Sequence, residues 1–344
     1  MALFINGIGS ISPTASFSEV NSGSPQARAG NRLQCIEPDY AQFIDPRVSR
    51  RMSRIVKMGI VSAQKAMRDA GLAEADGVIA GTGWGCLEDT VSFLQKMVAN
   101  HEDMLSPTAF IHSTHNTIAA QIAYQLKCRG YNSTYVHRNI SFESTLIDAT
   151  LLLQEQSGSS YLVGGIDELT DTSFNILSRL DTFKTTETEQ PAELYGAATP
   201  GTWAGEGATF FVVSNQATVT SYAKLLEVRT VSFGTPGEAA GIAKRMLQAH
   251  GYDQVDVLIS GYNGDQENDA AAQVFETDFG YHGEATRFKH LCGEYPTASA
   301  FALGLACELL ASKRDAATPG PAKAILIYNR FQRAHQSLLL LAAC

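Results

Sequence analysis

Four stretches of this 344-residue chain carry residue types and spacings that could do chemistry. The first is Lys289-His290-Leu291-Cys292-Gly293-Glu294. A thiol close to an imidazole can form a nucleophilic thiolate. Residues at i and i+2 on an extended segment point the same way without a guaranteed contact, however, so a buried structural thiol is the more ordinary expectation for Cys292. Glu294 reads as a buried carboxylate, either raised in pKa or paired with an arginine such as Arg333. The second is Ser141, which precedes an apolar helix and is either a nucleophile or, more ordinarily, a cap on the helix's first N–H groups. In the third, His112 and His115 flank Ser113-Thr114; further ligands at metal-binding spacing are not evident, so the pair reads as polar residues of a loop or helix N-terminus and no metal is expected. In the fourth, Gly81-Thr82-Gly83 follows a strand, but the third glycine of a dinucleotide fingerprint falls on Cys86. A tight turn that needs positive φ explains it better, and no cofactor is expected.

The elements that position these residues alternate between short β-rich runs and helices, the pattern of an α/β protein with covered sheets. Residues 47–72 read as one helix, with Met52, Ile55, Val56, Gly59 and Ala63 at helical spacing and Gly71 as its stop. Further helices are expected over 117–126 and 144–156, and strands over 78–80, 133–136 and 161–163. Residues 180–203 turn polar and read as a long, mobile surface loop. A second round of strand and helix starts at Ala223, with helices over 239–250, 269–275 and 297–313 and strands over 255–260, 324–328 and 338–341. The two rounds suggest duplicated halves, 1–215 and 216–344. Arg47, Arg50, Arg51, Arg54 and Lys57 recur at steps of three or four, and such a run is usually a solvated helix face.

Composition limits the function classes. Against 26 Lys and Arg stand 35 Asp and Glu, a net charge of −9, which argues against nucleic acid or an anionic membrane as partner. Six cysteines without CxxC pairs read as reduced thiols of a cytoplasmic protein. The N-terminus lacks the charged leader and longer apolar run of a signal peptide, and no run approaches 18 apolar residues, so no membrane span is expected.

Taken in order, several segments carry a family resemblance: Arg51-Met52-Ser53-Arg54, Asp69-Ala70-Gly71-Leu72, Gly81 to Gly85, Ser106-Pro107 with Phe110 and Asn116, Lys127 to Gly130, Gly164 to Glu168 and Gly205 to Ala208. Together they resemble the β-ketoacyl synthases of the thiolase fold, over most of the chain. The resemblance implies two βαβαβαββ halves in a five-layer αβαβα arrangement. It also implies a cysteine nucleophile at a helix N-terminus, supported by two histidines. Here the cysteine position holds Asn139 and the histidine positions hold Gly261 and Glu294, while Phe331 to Gln336 replaces a glycine-rich loop that lends an oxyanion-hole amide.

That set of departures is similar to the chain-length factors of type II polyketide synthases, inactive subunits that dimerise with a catalytic ketosynthase. Cys292 to Ala300 looks closer to the partners found in aryl polyene or flexirubin-type pathways. The resemblance implies partnership with a ketosynthase through residues 131–136 and with an acyl carrier protein, for which the Arg47–Lys57 run is a candidate dock. Phe110, His112, Tyr135, Asn139 and Phe142 would line or block the acyl tunnel near the interface. Two rivals remain at this stage: a stand-alone acyltransferase or hydrolase using Ser141 or Cys292, and a purely structural partner.

Overall fold

Apolar β-rich runs divided by glycine turns form twelve strands in the computed structural model, which describes residues 2–17, 28–103, 105–185, 190–196, 198–311, 323–332 and 334–344. The first half contributes β1 (Leu3–Ile11), the small hairpin β2 (Arg28–Ala29) and β3 (Arg32–Leu33), β4 (Gly77–Gly81), β5 (Tyr131–Tyr135), β6 (Ser160–Asp167) and β7 (Gly207–Ser214). The second contributes β8 (Ala223–Ser232), β9 (Val257–Ser260), β10 (Thr286–Arg287), β11 (Ala324–Phe331) and β12 (His335–Ala342). Between them run α1 (Pro46–Ser49), α2 (Arg54–Asp69), α3 (Leu87–Ala99), α4 (Pro107–His112), α5 (Thr117–Gln125) and α6 (Ser141–Glu155). The remaining helices are α7 (Asp171–Ser178), α8 (Pro191–Gly196), α9 (Pro236–Ala249), α10 (Gln266–Phe279), α11 (Lys289–Cys292) and α12 (Ser299–Ala311).

Ten strands form one ladder in the order β10-β9-β11-β12-β8-β1-β7-β6-β4-β5. Its two ends repeat one pattern. From β1 the pairing runs antiparallel to β7, antiparallel to β6, then parallel to β4 and β5. From β8 it runs antiparallel to β12, antiparallel to β11, then parallel to β9 and β10. A short antiparallel pairing of β1 with β8 joins the two.

The apolar faces sort the helices into layers. Phe142, Leu146, Ala149 and Leu153 of α6 and nearly all of α12 are buried between the inner faces of the two half-sheets. On one outer face α2 and α5 pack against β4, β6 and β7. On the other, α9 and α10 pack against β9, β11 and β12. This mixed α/β architecture with a large sheet is the one the resemblance implied.

Two expectations change. The helix expected over 47–72 is broken: Asp45 caps α1 by accepting from the Arg47 N–H at 2.8 Å, α1 ends at Ser49, and the chain resets at an extended Ser53. That reset turns Arg54 inward, so its guanidinium grips Glu206 at 2.6 and 2.7 Å and Glu37 at 2.6 Å. The five basic residues therefore do not share one helix face. The stretch 180–203 is not simply a loop: it carries α8, and Trp203 is fully buried with Leu33 and Leu194. Residues 186–189 and 197 of that stretch lie outside the described residues.

Close approach of β1 to α2 depends on glycine. A Cβ on Gly9 would fall 2.0 Å from the Ser62 carbonyl and 2.4 Å from the Ala66 nitrogen, both rigid helix backbone. Gly9→Ala is expected to lower stability by roughly 1–3 kcal/mol through overpacking, seen as a lower urea midpoint at unchanged slope; an unchanged midpoint would show that α2 moves away freely.

Candidate functional site

The site forms where β5, β9 and the β11–β12 turn end near the start of α6. After β5 a 3-10 turn spans Arg138–Ile140, and Arg138 is held at φ 52°, a left-handed conformation unusual for a side-chain-bearing residue. Asn139 is buried behind it. Its carboxamide nitrogen donates to the carbonyls of Phe331 at 3.0 Å and His335 at 3.3 Å. Both of its hydrogens are thereby spent on the turn between β11 and β12. Asn139 is thus a clasp whose side chain has no N–H left over.

Ser141 is neither base-activated nor a helix cap. Its hydroxyl accepts from the His137 N–H at 2.8 Å and donates to the Arg138 carbonyl at 2.6 Å, closing the turn that precedes α6. The nearest imidazole, His137, has its Nδ1 3.4 Å from Ser144 Oγ and its ring against His335.

Gly261 follows β9, where a Cβ would fall 2.8 Å from Asn329 Oδ1 and 3.1 Å from Asn329 Cα. A larger side chain there would have to displace the Asn329 carboxamide and crowd its Cα. Glu294 is fully buried and paired, as expected of a carboxylate at that position, but its partner is Lys289 rather than an arginine, and Asn263 Nδ2 donates to its second oxygen at 2.8 Å. Arg333 lies outside the described residues. Burial pushes the Glu294 carboxyl up, and the Lys289 ammonium opposes that.

Cys292 belongs to the short α11 rather than to an extended segment, and its thiol donates to the Gly293 carbonyl at 3.2 Å. Burial pushes the thiol well above its ordinary range. His290 turns instead to Tyr195, with Nδ1 3.0 Å from the phenol oxygen, and burial with the nearby Arg287 charge holds it down at about 4. A Cys–His thiolate pair is not formed.

Sequence reasoning missed Glu143. It lies fully buried on α6, among Phe142, Leu146 and Ala149, and both carboxyl oxygens are without a hydrogen-bond partner. The Ser299 and Ser337 hydroxyls lie beside it without closing a bond of ordinary geometry, and they too are buried without partners. Burial pushes the Glu143 carboxyl up, only partly offset by these hydroxyls and by Lys289. A signal was present: one glutamate directly after Phe142, beside the apolar stripe that α6 buries.

The other candidates do not converge on one lining. Phe142 is sealed in the core against Phe211, with ring centroids 5.8 Å apart, while Phe110 is 56% exposed on α4. Tyr135 sits at the ladder's edge. His112 is the last residue of α4, not a loop or N-terminal residue, and it joins Arg47, Arg51, Met52, Ser53 and Val56 around a pocket of about 220 Å³. Lys57 lies over the Tyr40 ring. A second cleft, of about 370 Å³, opens beside Asn263, Asn268, Phe331 and Gln332 and carries Asp181, Asp265 and Glu267 against Arg330. Among the described residues no cluster of three His, Cys, Asp or Glu side chains is arranged to hold a metal, and no helix is long and apolar enough to cross a membrane.

Comparisons with known proteins agree with this fold. The family model of the β-ketoacyl synthase N-terminal domain matches residues 9–218. No curated protein matches the chain. Among solved structures, it resembles the apo AntDE:AntF complex, a type II polyketide synthase acyl-carrier protein with its ketosynthase bound to the hexaketide, at 14% identity and TM-score 0.81, covering 100% of this chain and 99% of that one. It also resembles the ishigamide ketosynthase/chain length factor, at 20% identity and TM-score 0.76, and a β-ketoacyl synthase from Burkholderia phymatum STM815, at 15% and 0.78, each over 100% of this chain and 99% of the other.

Glu143 leads to a pH prediction. A carboxyl whose pKa is raised by folding holds its proton more tightly in the native state, so its contribution is full below the unfolded carboxylate value and declines as pH rises toward the folded one. Glu143→Gln should flatten that decline above about pH 4.3 and stabilise the protein at neutral pH, read from urea midpoints of both forms across pH. Parallel profiles would show that Glu143 titrates as an ordinary exposed acid.

Proposed function

Because the chain belongs to the β-ketoacyl synthase family while its reactive positions hold Asn139, Gly261 and Glu294, we propose that it is a non-nucleophilic subunit, a chain-length factor that dimerises with an active ketosynthase. The observation that carries this reading is the Asn139 clasp: the nucleophile's place is taken by an amide whose donors are spent on Phe331 and His335. The remaining reactive slots are also internally occupied, with Glu294 neutralised by Lys289 and the space beside Gly261 filled by Asn329. Neither Ser141 nor Cys292 has the base that an acyltransferase or hydrolase would need.

The partner surface in this reading is the β5 edge. Among the described residues β5 pairs with β4 alone, and Tyr131 on the strand and Val136 just after it are exposed. An open sheet edge with exposed apolar side chains favours a partner that adds a strand. Phe110, His112 and Tyr135 would stand at the subunit boundary and limit the growing chain by bulk, with Asn139 closing the near end. The halves 1–215 and 216–344 fit the repeated strand order.

An acidic acyl carrier protein is the second partner in this reading. Arg47, Arg50 and Arg51 have no ion pair among the described residues, and two of them rim the pocket floored by Met52 and Val56. Arg54 and Lys57 drop out of that dock because Glu206 and Tyr40 engage them. The AntDE:AntF neighbour holds a carrier protein with its ketosynthase, which supports the class of partner. The pathway is type II fatty-acid or polyketide synthesis in the cytoplasm, with an aryl polyene-like product as its finer placement.

Two measurements test the reading. Intact mass after incubation with an acyl-loaded carrier protein should stay unmodified while an active ketosynthase is acylated in parallel; a stoichiometric adduct on Ser141 or Cys292 would overturn it. Asn139→Cys alone should restore no condensation, because neither histidine returns with it. In a reconstituted pair, Phe110→Ala should lengthen the product distribution; an unchanged distribution would favour a subunit that only stabilises its partner.

A further inference from the structure

One stripe of α6 is left partly uncovered between β5 and a cleft that Ile147 and Leu151 share with Leu225, Val228 and Arg229 of β8. Ser144, Ile147, Asp148 and Leu151 recur along it at steps of three and four, with Ile147 38% and Leu151 54% exposed. The stripe is apolar except for the Ser144 hydroxyl, which donates to the Ile140 carbonyl at 2.9 Å, and the Asp148 carboxylate. Asp148 Oδ2 is buried without a hydrogen bond of ordinary geometry; the Tyr131 and Tyr135 hydroxyls lie within reach of the carboxylate, but among the described residues no lysine, arginine or histidine forms an ion pair with it.

The edge strand places two hydroxyls at the same spot. Asn132 of β5 turns toward α5 and bonds the Ala119 carbonyl at 3.0 Å. Strand alternation therefore sends Tyr131, Ser133 and Tyr135 to the opposite face, the face of α6. Burial, and then the neighbouring Asp148 charge, push the Tyr135 phenol up to about 12 and raise Tyr131 as well. Asp148 thus interacts with both tyrosines, on the side of α6 that packs against β5.

That position decides what can pair with the edge. A second copy adding its own β5 antiparallel about Ser133 would set each Tyr131 opposite the other's Tyr135, as an isologous interface requires. It would also bring two Asp148 carboxylates and four tyrosine hydroxyls to one axis with no cation among them. Removing water from an unpaired carboxylate inside an apolar contact is strongly unfavourable, and like charges across an interface disfavour the wrong partner.

We propose that Asp148 is a pairing determinant: a partner subunit presents a lysine or arginine to it across the β5 edge, and a second copy of this chain is rejected because it presents another carboxylate. The proposal rests on the β5 edge being the subunit interface, and the experiment separates the two claims.

Wild-type protein is mixed with isotopically heavy Asp148→Lys protein and dimers are counted by native mass spectrometry, while hydrogen exchange of residues 131–136 reports edge pairing. Mixed dimers are expected to bind at least about tenfold tighter than either homodimer, with 131–136 protected. Asp148→Asn, which keeps shape and removes charge, is expected to form homodimers more readily than wild type, so the test stands if the lysine variant folds poorly. Mixed dimers at no more than the statistical proportion, or no gain for Asp148→Asn, with 131–136 still protected, overturn the role of Asp148 and leave the edge reading standing. Dimers that leave 131–136 unprotected overturn the edge reading and the proposal with it. If neither the mixture nor Asp148→Asn dimerises at all, complementary charge is not the determinant and the proposal falls.

Discussion

The Asp167 carboxylate holds the two halves in register. At the end of β6 it accepts from the Thr82 hydroxyl at 2.9 Å and from the Gly83 and Trp84 N–H groups at 2.9 and 2.8 Å, fixing the glycine turn after β4. Its other oxygen accepts from the Thr297 N–H at 3.0 Å and hydroxyl at 2.8 Å, fixing the approach to α12 in the second half. Burial pushes its pKa up to about 6, and the donated hydrogen bonds oppose that, so it remains ionised at neutral pH. Without it the start of α12, with Ser299 against Glu143, and the neighbouring Glu294 would lose their reference to the first half.

Around this anchor the site is settled by internal partners rather than left open for a ligand. Asn139 clasps the β11–β12 turn, Lys289 answers Glu294, and Asn329 occupies the space beside Gly261. Each of these contacts pairs or packs a group within the molecule. Among the described residues, unanswered polar groups remain both in the core, at Glu143, Ser299 and Ser337, and near the edge, at Asp148 and at Arg47, Arg50 and Arg51, which form no ion pair.

Much of the site was legible residue by residue. That Asn139, Gly261 and Glu294 bring no thiol or imidazole follows from side-chain identity, a local property. The fold followed from the order of its motifs. The bonds these residues make were not legible, because Asn139 meets Phe331 and His335 across 192 and 196 residues and Asn263 meets Glu294 across 31. The basic run shows the reverse error: its spacing implied one helix face, but Glu206, 152 residues away, draws Arg54 inward.

By itself, the sequence determined which reactive side chains the segments carry and which family the chain belongs to, since both depend on what each side chain is and in what order the segments occur. Only the tertiary structure decided which groups are satisfied and which are not. Whether Glu143 keeps its proton, whether Ser141 closes a turn or caps a helix, and whether Asp148 faces a partner depend on burial and on neighbours brought from distant strands. Desolvation and hydrogen bonding act through space and not along the chain.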